Sequence, residues 1–82
     1  MEKLDYEIEA SNLENKIFES ELDLKQKIKS LFDVDGDKIE LIKNKGFDDE
    51  LCFFTDGFCV SVYIMRGASG RIIVVETAAC RE

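Results

Sequence analysis

The chain has 82 residues, with 11 Lys and Arg against 18 Asp and Glu, a formal net charge of −7, and no His, Trp or Pro. That length fits one thin-cored domain spanning 1–82. The acidic balance argues against direct nucleic-acid binding, and the lack of histidine removes imidazole acid–base catalysis and His-ligated metal sites.

In chain order, Leu4-Asp5-Tyr6-Glu7-Ile8-Glu9-Ala10 alternates apolar and acidic residues. A period of two predicts a half-buried strand with Leu4, Tyr6, Ile8 and Ala10 inward. A helix is the competing reading, because Leu4 and Ile8 also fit i, i+4. Ser11-Asn12-Leu13-Glu14 matches a capping box, and Ser20-Glu21-Leu22-Asp23 is a second, weaker helix start. Leu24, Ile28, Leu31 and Phe32 then form one apolar helical stripe. The helix is expected over 21–32, and Leu13 and Ile17 would carry it back to 12 if the first cap is used.

Asp33-Val34-Asp35-Gly36-Asp37 ends that helix, with Gly36 expected to supply positive φ near its C-terminus. Lys38–Lys43 reads as a strand with Ile39 and Leu41 inward. Asn44-Lys45-Gly46 and the acids Asp48, Asp49 and Glu50 read as a loop. Asp56-Gly57 between two apolar runs predicts a two-residue type I′ hairpin turn. It pairs Thr55 with Phe58, Phe54 with Cys59, Phe53 with Val60 and Cys52 with Ser61. Leu51, Phe53, Thr55, Phe58, Val60, Val62 and Ile64 then share one face. Gly67-Ala68-Ser69-Gly70 is a further turn, and 71–77 is a strand apolar enough to be buried on much of both faces.

The expected fold is therefore α+β: an antiparallel sheet of four to five strands in β-α-β-β-β-β order, with one amphipathic helix packed on one face. Strict alternation puts Phe54, Cys59, Tyr63, Met65, Ile72 and Val74 on the far face. Soluble monomers seldom expose so large an apolar patch. The N-terminal segment could fold over it, a second copy could cover it, or another protein could dock there.

Asp33-Val34-Asp35-Gly36-Asp37 resembles the opening of the EF-hand calcium loop. The resemblance stops there: Lys38 stands where that loop has Gly, and Asn44 where it has the bidentate Glu. Cys52, Cys59 and Cys80 form no CxxC and lack the close-spaced ligand pairs of a zinc site. The residues suggest no catalytic group, metal ligand or cofactor, since no nucleophile, base and oxyanion donor fall together. An odd cysteine count and an acidic opening, Met1 to Ala10, in place of a signal peptide point to the cytoplasm. No apolar run approaches the ~20 residues of a membrane helix.

Charge is lopsided. Residues 1–50 hold fifteen acids against eight bases, whereas 51–82 hold three of each. A solubilising face accounts for this on charge alone. The functional expectation is a protein-binding module that masks a basic partner surface, such as the groove of a nucleic-acid-binding enzyme. Asp5, Glu7, Glu9, Glu14, Glu19, Glu21 and Asp23 would steer the encounter, and Phe54 and Tyr63 would anchor it. In size, charge and compactness the chain is similar to small acidic immunity proteins and phage-encoded inhibitors. The alternative is a homo-oligomer joined through the apolar sheet face, with acidity serving solubility.

Overall fold

The computed structural model describes residues 3–43, 49–55 and 57–81. It contains α1 (Lys3–Ser11), β1 (Ile17–Phe18), α2 (Glu21–Phe32), a 3₁₀ turn (Gly36–Lys38), β2 (Glu40–Lys43), β3 (Asp49–Thr55), β4 (Phe58–Arg66) and β5 (Ile72–Arg81). The five strands form one antiparallel sheet in the order β1-β5-β4-β3-β2. The α+β class, the antiparallel sheet and the helix over 21–32 are as expected.

The opening segment is a helix, not a strand. Tyr6, Ala10 and Leu13 are buried at i, i+4 and i+7, while Ile8 is exposed. A helical stripe therefore outweighs the alternation that the same residues display. Leu4, expected to point inward, lies outside the residues with described side chains. The sheet's extra strand is instead the short β1, which pairs with β5 through Ile17 and Ile73, and Phe18 and Ile72.

The Ser11 capping box is not used as one. Ser11 closes α1, and its Oγ donates to the Ile8 carbonyl at 2.8 Å. The second start is the real one: Ser20 Oγ accepts from the Asp23 N–H at 3.2 Å, so α2 begins at Glu21 and does not reach back to 12. Asn15, at φ 66°, turns the chain between α1 and β1. At the other end of α2, Asp33 rather than Gly36 adopts the left-handed conformation (φ 53°), and its N–H donates to the Lys29 carbonyl at 2.9 Å.

The hairpin register agrees with expectation at all four predicted pairs. Gly57 has φ +82°, while Asp56 lies outside the described residues. Strand boundaries differ, and β5 runs over Ile72–Arg81 instead of ending at 77. Asp49 and Glu50 belong to β3 rather than to a loop, and β2 starts at Glu40 after a 3₁₀ turn. Asn44, Lys45, Gly46 and Asp48 lie outside the described residues.

β5 corrects the expected far face. Ile72 and Val74 are fully buried, while Ile73 and Val75 are exposed. The register passes from Ile64↔Val74 to Tyr63↔Glu76, leaving Val75 as an extra residue. Such a bulge reverses which residues point inward. Beyond it Ala79, opposite Val60, is the buried residue.

Both helices cover the same sheet face. The Tyr6 ring lies 6.1 Å from Phe32 on α2 and 5.1 Å from Phe58 on β4, and Phe32 lies 5.1 Å from Phe53 on β3. These rings, with Leu24, Ile28, Leu51, Val60, Val62 and Ile64, form a single core between the layers. The N-terminal segment thus adds to the helical layer and does not fold over the far face.

Candidate functional site: the open sheet face

Strand alternation sets what the uncovered face presents. In β4, buried Phe58, Val60, Val62 and Ile64 alternate with partly exposed Cys59, Ser61 and Tyr63 and exposed Met65. In β3, Phe53 is fully buried and Phe54 is 55% exposed. Met65 is 50%, Val75 43%, Ile42 39% and Ile73 38% exposed. Each is on, or pairs onto, the side away from the helices. Ile17, opposite Ile73, extends the face to the sheet edge. The result is an apolar surface crossing all five strands.

Among the described residues, three carboxylates share this surface. Glu50 and Glu76 are the register partners of Tyr63 on its two sides, and Glu40 pairs with Cys52. Partners in an antiparallel ladder project to the same face. The row Ile42, Glu50, Tyr63, Glu76 therefore crosses four strands with an aromatic ring between two acids. Glu50, Glu76, Ile73, Val75 and Ile17 were not anticipated as site residues. By sequence Glu50 reads as a loop residue, and the bulge that turns Ile73 and Val75 outward leaves no local sequence signal.

The acids expected to steer a partner lie elsewhere. Asp5, Glu7 and Glu9 are on α1, Glu14 and Glu19 flank β1, and Glu21 and Asp23 open α2. Five of them lie on the two helices and two on the segments beside the edge strand β1, whereas Phe54 and Tyr63 lie on the uncovered side of the central strands. The seven acids and the two aromatics do not form one continuous patch.

Several of these acids have internal roles. Glu14 Oε2 accepts from the Thr77 backbone N–H at 3.0 Å, tying the segment after α1 to β5. Glu19 lies 3.5 Å from Arg71. Glu21 accepts from Arg66 Nη2 at 2.7 Å and lies 3.3 Å from Lys25, while Arg66 Nε donates to Asp49 Oδ2 at 2.8 Å. The hydrogen-bonded Arg66 guanidinium holds the Glu21 carboxyl below its ordinary pKa, with partial burial opposing and Lys25 assisting. The same bonds, to Glu21 first and then Asp49, raise the Arg66 pKa.

Among the described residues no three His, Cys, Asp or Glu side chains converge on a metal position. Asp33 and Asp35 are both exposed, with the 3₁₀ turn following directly, so a strand succeeds the EF-hand-like run. A groove lined by Leu22, Lys25, Gln26, Lys29 and Gly36 runs along α2. No helix among the described residues is long and apolar enough to cross a membrane. No protein-family model, curated protein or solved structure matches the chain.

Proposed function

We propose that this protein is a binding module that docks another protein on its open sheet face and masks a basic surface there. The observation that carries the reading is the Glu50–Tyr63–Glu76 row, set among exposed Phe54, Met65, Ile73 and Val75. An apolar surface of this kind is a common site of protein association. Aromatic side chains at its centre supply holding energy. Carboxylates beside them favour a partner whose apolar contact residues are flanked by Lys or Arg, and the net charge of −7 speeds approach to such a surface. The groove of a nucleic-acid-binding enzyme is one surface with that chemistry. The acids of the helical layer then contribute long-range attraction, while contact is made on the other side of the molecule.

Pairing of two copies through the same face is the competing arrangement. A two-fold pairing centred on Tyr63 brings the Glu50 and Glu76 rows of both copies together, and like charges in apposition oppose association.

The test is affinity capture with matched baits: wild type, Tyr63→Lys, the double change Glu50→Lys with Glu76→Lys, and Asp23→Lys as a helical-layer control. The expected result is a basic protein retained by wild type and by the control, lost with the two face variants, and weakened by about 0.5 M salt, which screens exposed charges. Retention of that protein by both face variants overturns the reading. So does sedimentation showing that wild type self-associates and that Tyr63→Lys is monomeric.

A further inference from the structure

The hairpin brings together two cysteines that look unrelated in the sequence. Cys52 pairs with Ser61 and Cys59 with Phe54, which makes the cysteines diagonal neighbours on the open face. Their sulfurs are 3.3 Å apart, and both residues are half-buried. The arrangement follows from register and twist. Diagonal neighbours sit about 7–8 Å apart between Cα atoms in a regular ladder, with side chains closer, and the right-handed twist of a two-strand ribbon shortens one diagonal.

We propose that Cys52 and Cys59 are a dithiol site that closes reversibly to a disulfide across β3 and β4. The oxidant is a low-molecular-weight disulfide of the glutathione class. One cysteine loses its proton, and its thiolate attacks a sulfur of oxidised glutathione. A mixed disulfide forms and one glutathione thiolate leaves. The second cysteine, deprotonated in turn, attacks the protein sulfur of the mixed disulfide. The protein S–S bond forms and the second glutathione thiolate leaves. Two protein thiols are oxidised, one glutathione disulfide is reduced to two thiols, and the two protons from the cysteines end on the two glutathiones.

Partial exposure admits the oxidant, and the neighbouring sulfur makes the second displacement intramolecular. Closure requires the sulfurs to approach from 3.3 Å to about 2.05 Å. A diagonal pair makes that approach with some distortion of the ladder, and strained bridges are the reducible ones. This favours a switchable bond over a permanent staple. Cys80 is the register partner of Cys59 across β4 and β5, so it is the natural competitor. The inference is independent of any docking partner.

The test incubates the full-length chain across a range of reduced-to-oxidised glutathione ratios and quenches by alkylation. Intact mass is then measured, with peptide mapping after cleavage at Asp56, which separates the two cysteines. Wild type and Cys80→Ser are expected to lose two hydrogens, to show a 52–59 linkage within one chain, and to reopen in excess reduced glutathione. Cys52→Ser and Cys59→Ser are expected to show no such linkage and to accumulate the glutathione adduct. A map showing 59–80, a link between chains, or adducts alone on wild type overturns the proposal. The wild-type map decides even if a serine variant is poorly folded.

Discussion

Arg66, on the last residue of β4, donates from Nη2 to Glu21 on the first turn of α2 at 2.7 Å. The same guanidinium holds Asp49 at the start of β3 through Nε. One side chain thus joins two neighbouring strands to the start of the helix above them. Its side chain is 42% exposed, so solvent weakens each pair. Replacing Arg66 by Ala is expected to cost about 1 kcal/mol, lowering Tm by about 4–8 °C in a domain of this size. A thermal melt followed by circular dichroism measures it.

Glu21 makes part of that contribution depend on pH. Its folded pKa lies below the ordinary 4.5, chiefly through Arg66. A depressed carboxyl stabilises the folded state above its unfolded pKa, and this is lost as pH falls through the lower folded value. Stability of Glu21→Gln is therefore expected to fall less steeply than that of wild type below about pH 4.5. The two curves run parallel near neutrality. Urea titrations at a series of pH values compare the slopes; equal slopes in acid would remove the Arg66–Glu21 pair from the account.

How much of this was readable beforehand varies along the chain. The hairpin was legible because Asp56-Gly57 fixes the turn and alternation fixes the faces of 51–55 and 58–64. The opening helix was not, because Tyr6, Ala10 and Leu13 supply a helical stripe inside a run that also alternates perfectly. The bulge at Val75 was hidden in an unbroken apolar run, where either face of Ile72 to Val75 is equally greasy. Glu14 and Glu21 look like solvated acids until Thr77 and Arg66 are brought to them by the sheet. The thiol pair was implicit in the predicted register, since pairing Cys52 with Ser61 and Cys59 with Phe54 already sets the two on a diagonal.

Glu14 offers a sharp case of an acid with a structural task. It accepts from the Thr77 N–H two residues beyond the β5 bulge, where the ladder is locally interrupted. Removing the acceptor leaves a half-buried amide unsatisfied, which costs about 1–3 kcal/mol. Glu14→Ala is expected to lose that much, and Glu14→Gln less, because its carbonyl still accepts. Faster hydrogen exchange at Thr77 in the Ala variant alone locates the effect.

Asp33 predicts a gain. At φ 53° it occupies the left-handed region in which a side chain is penalised and glycine is not. Its N–H to Lys29 bond comes from the backbone and survives substitution. Asp33→Gly is expected to stabilise the fold by about 0.5–1 kcal/mol, the unfolded-state entropy of glycine offsetting part of the strain relieved. Chemical denaturation reads this directly, and a loss of stability would mean that the Asp33 side chain has a role of its own.

Phe53 and Phe54 are adjacent in sequence and opposite in consequence. Phe53 is fully buried and its ring lies 5.1 Å from Phe32, whereas Phe54 is 55% exposed on the open face. Phe53→Ala is expected to cost about 3–5 kcal/mol, a large share of the roughly 5–10 kcal/mol that holds a domain of this size together. Phe54→Ala, by contrast, is expected to change stability by no more than about 0.5 kcal/mol. If the open face is a docking surface, the cheap substitution is the damaging one for binding: Phe54→Ala keeps wild-type folding and loses partner retention. Measuring denaturation midpoint and partner capture on the same preparation separates the two effects. An unchanged midpoint with unchanged capture would leave Phe54 as ordinary exposed apolar surface and remove it from the proposed interface.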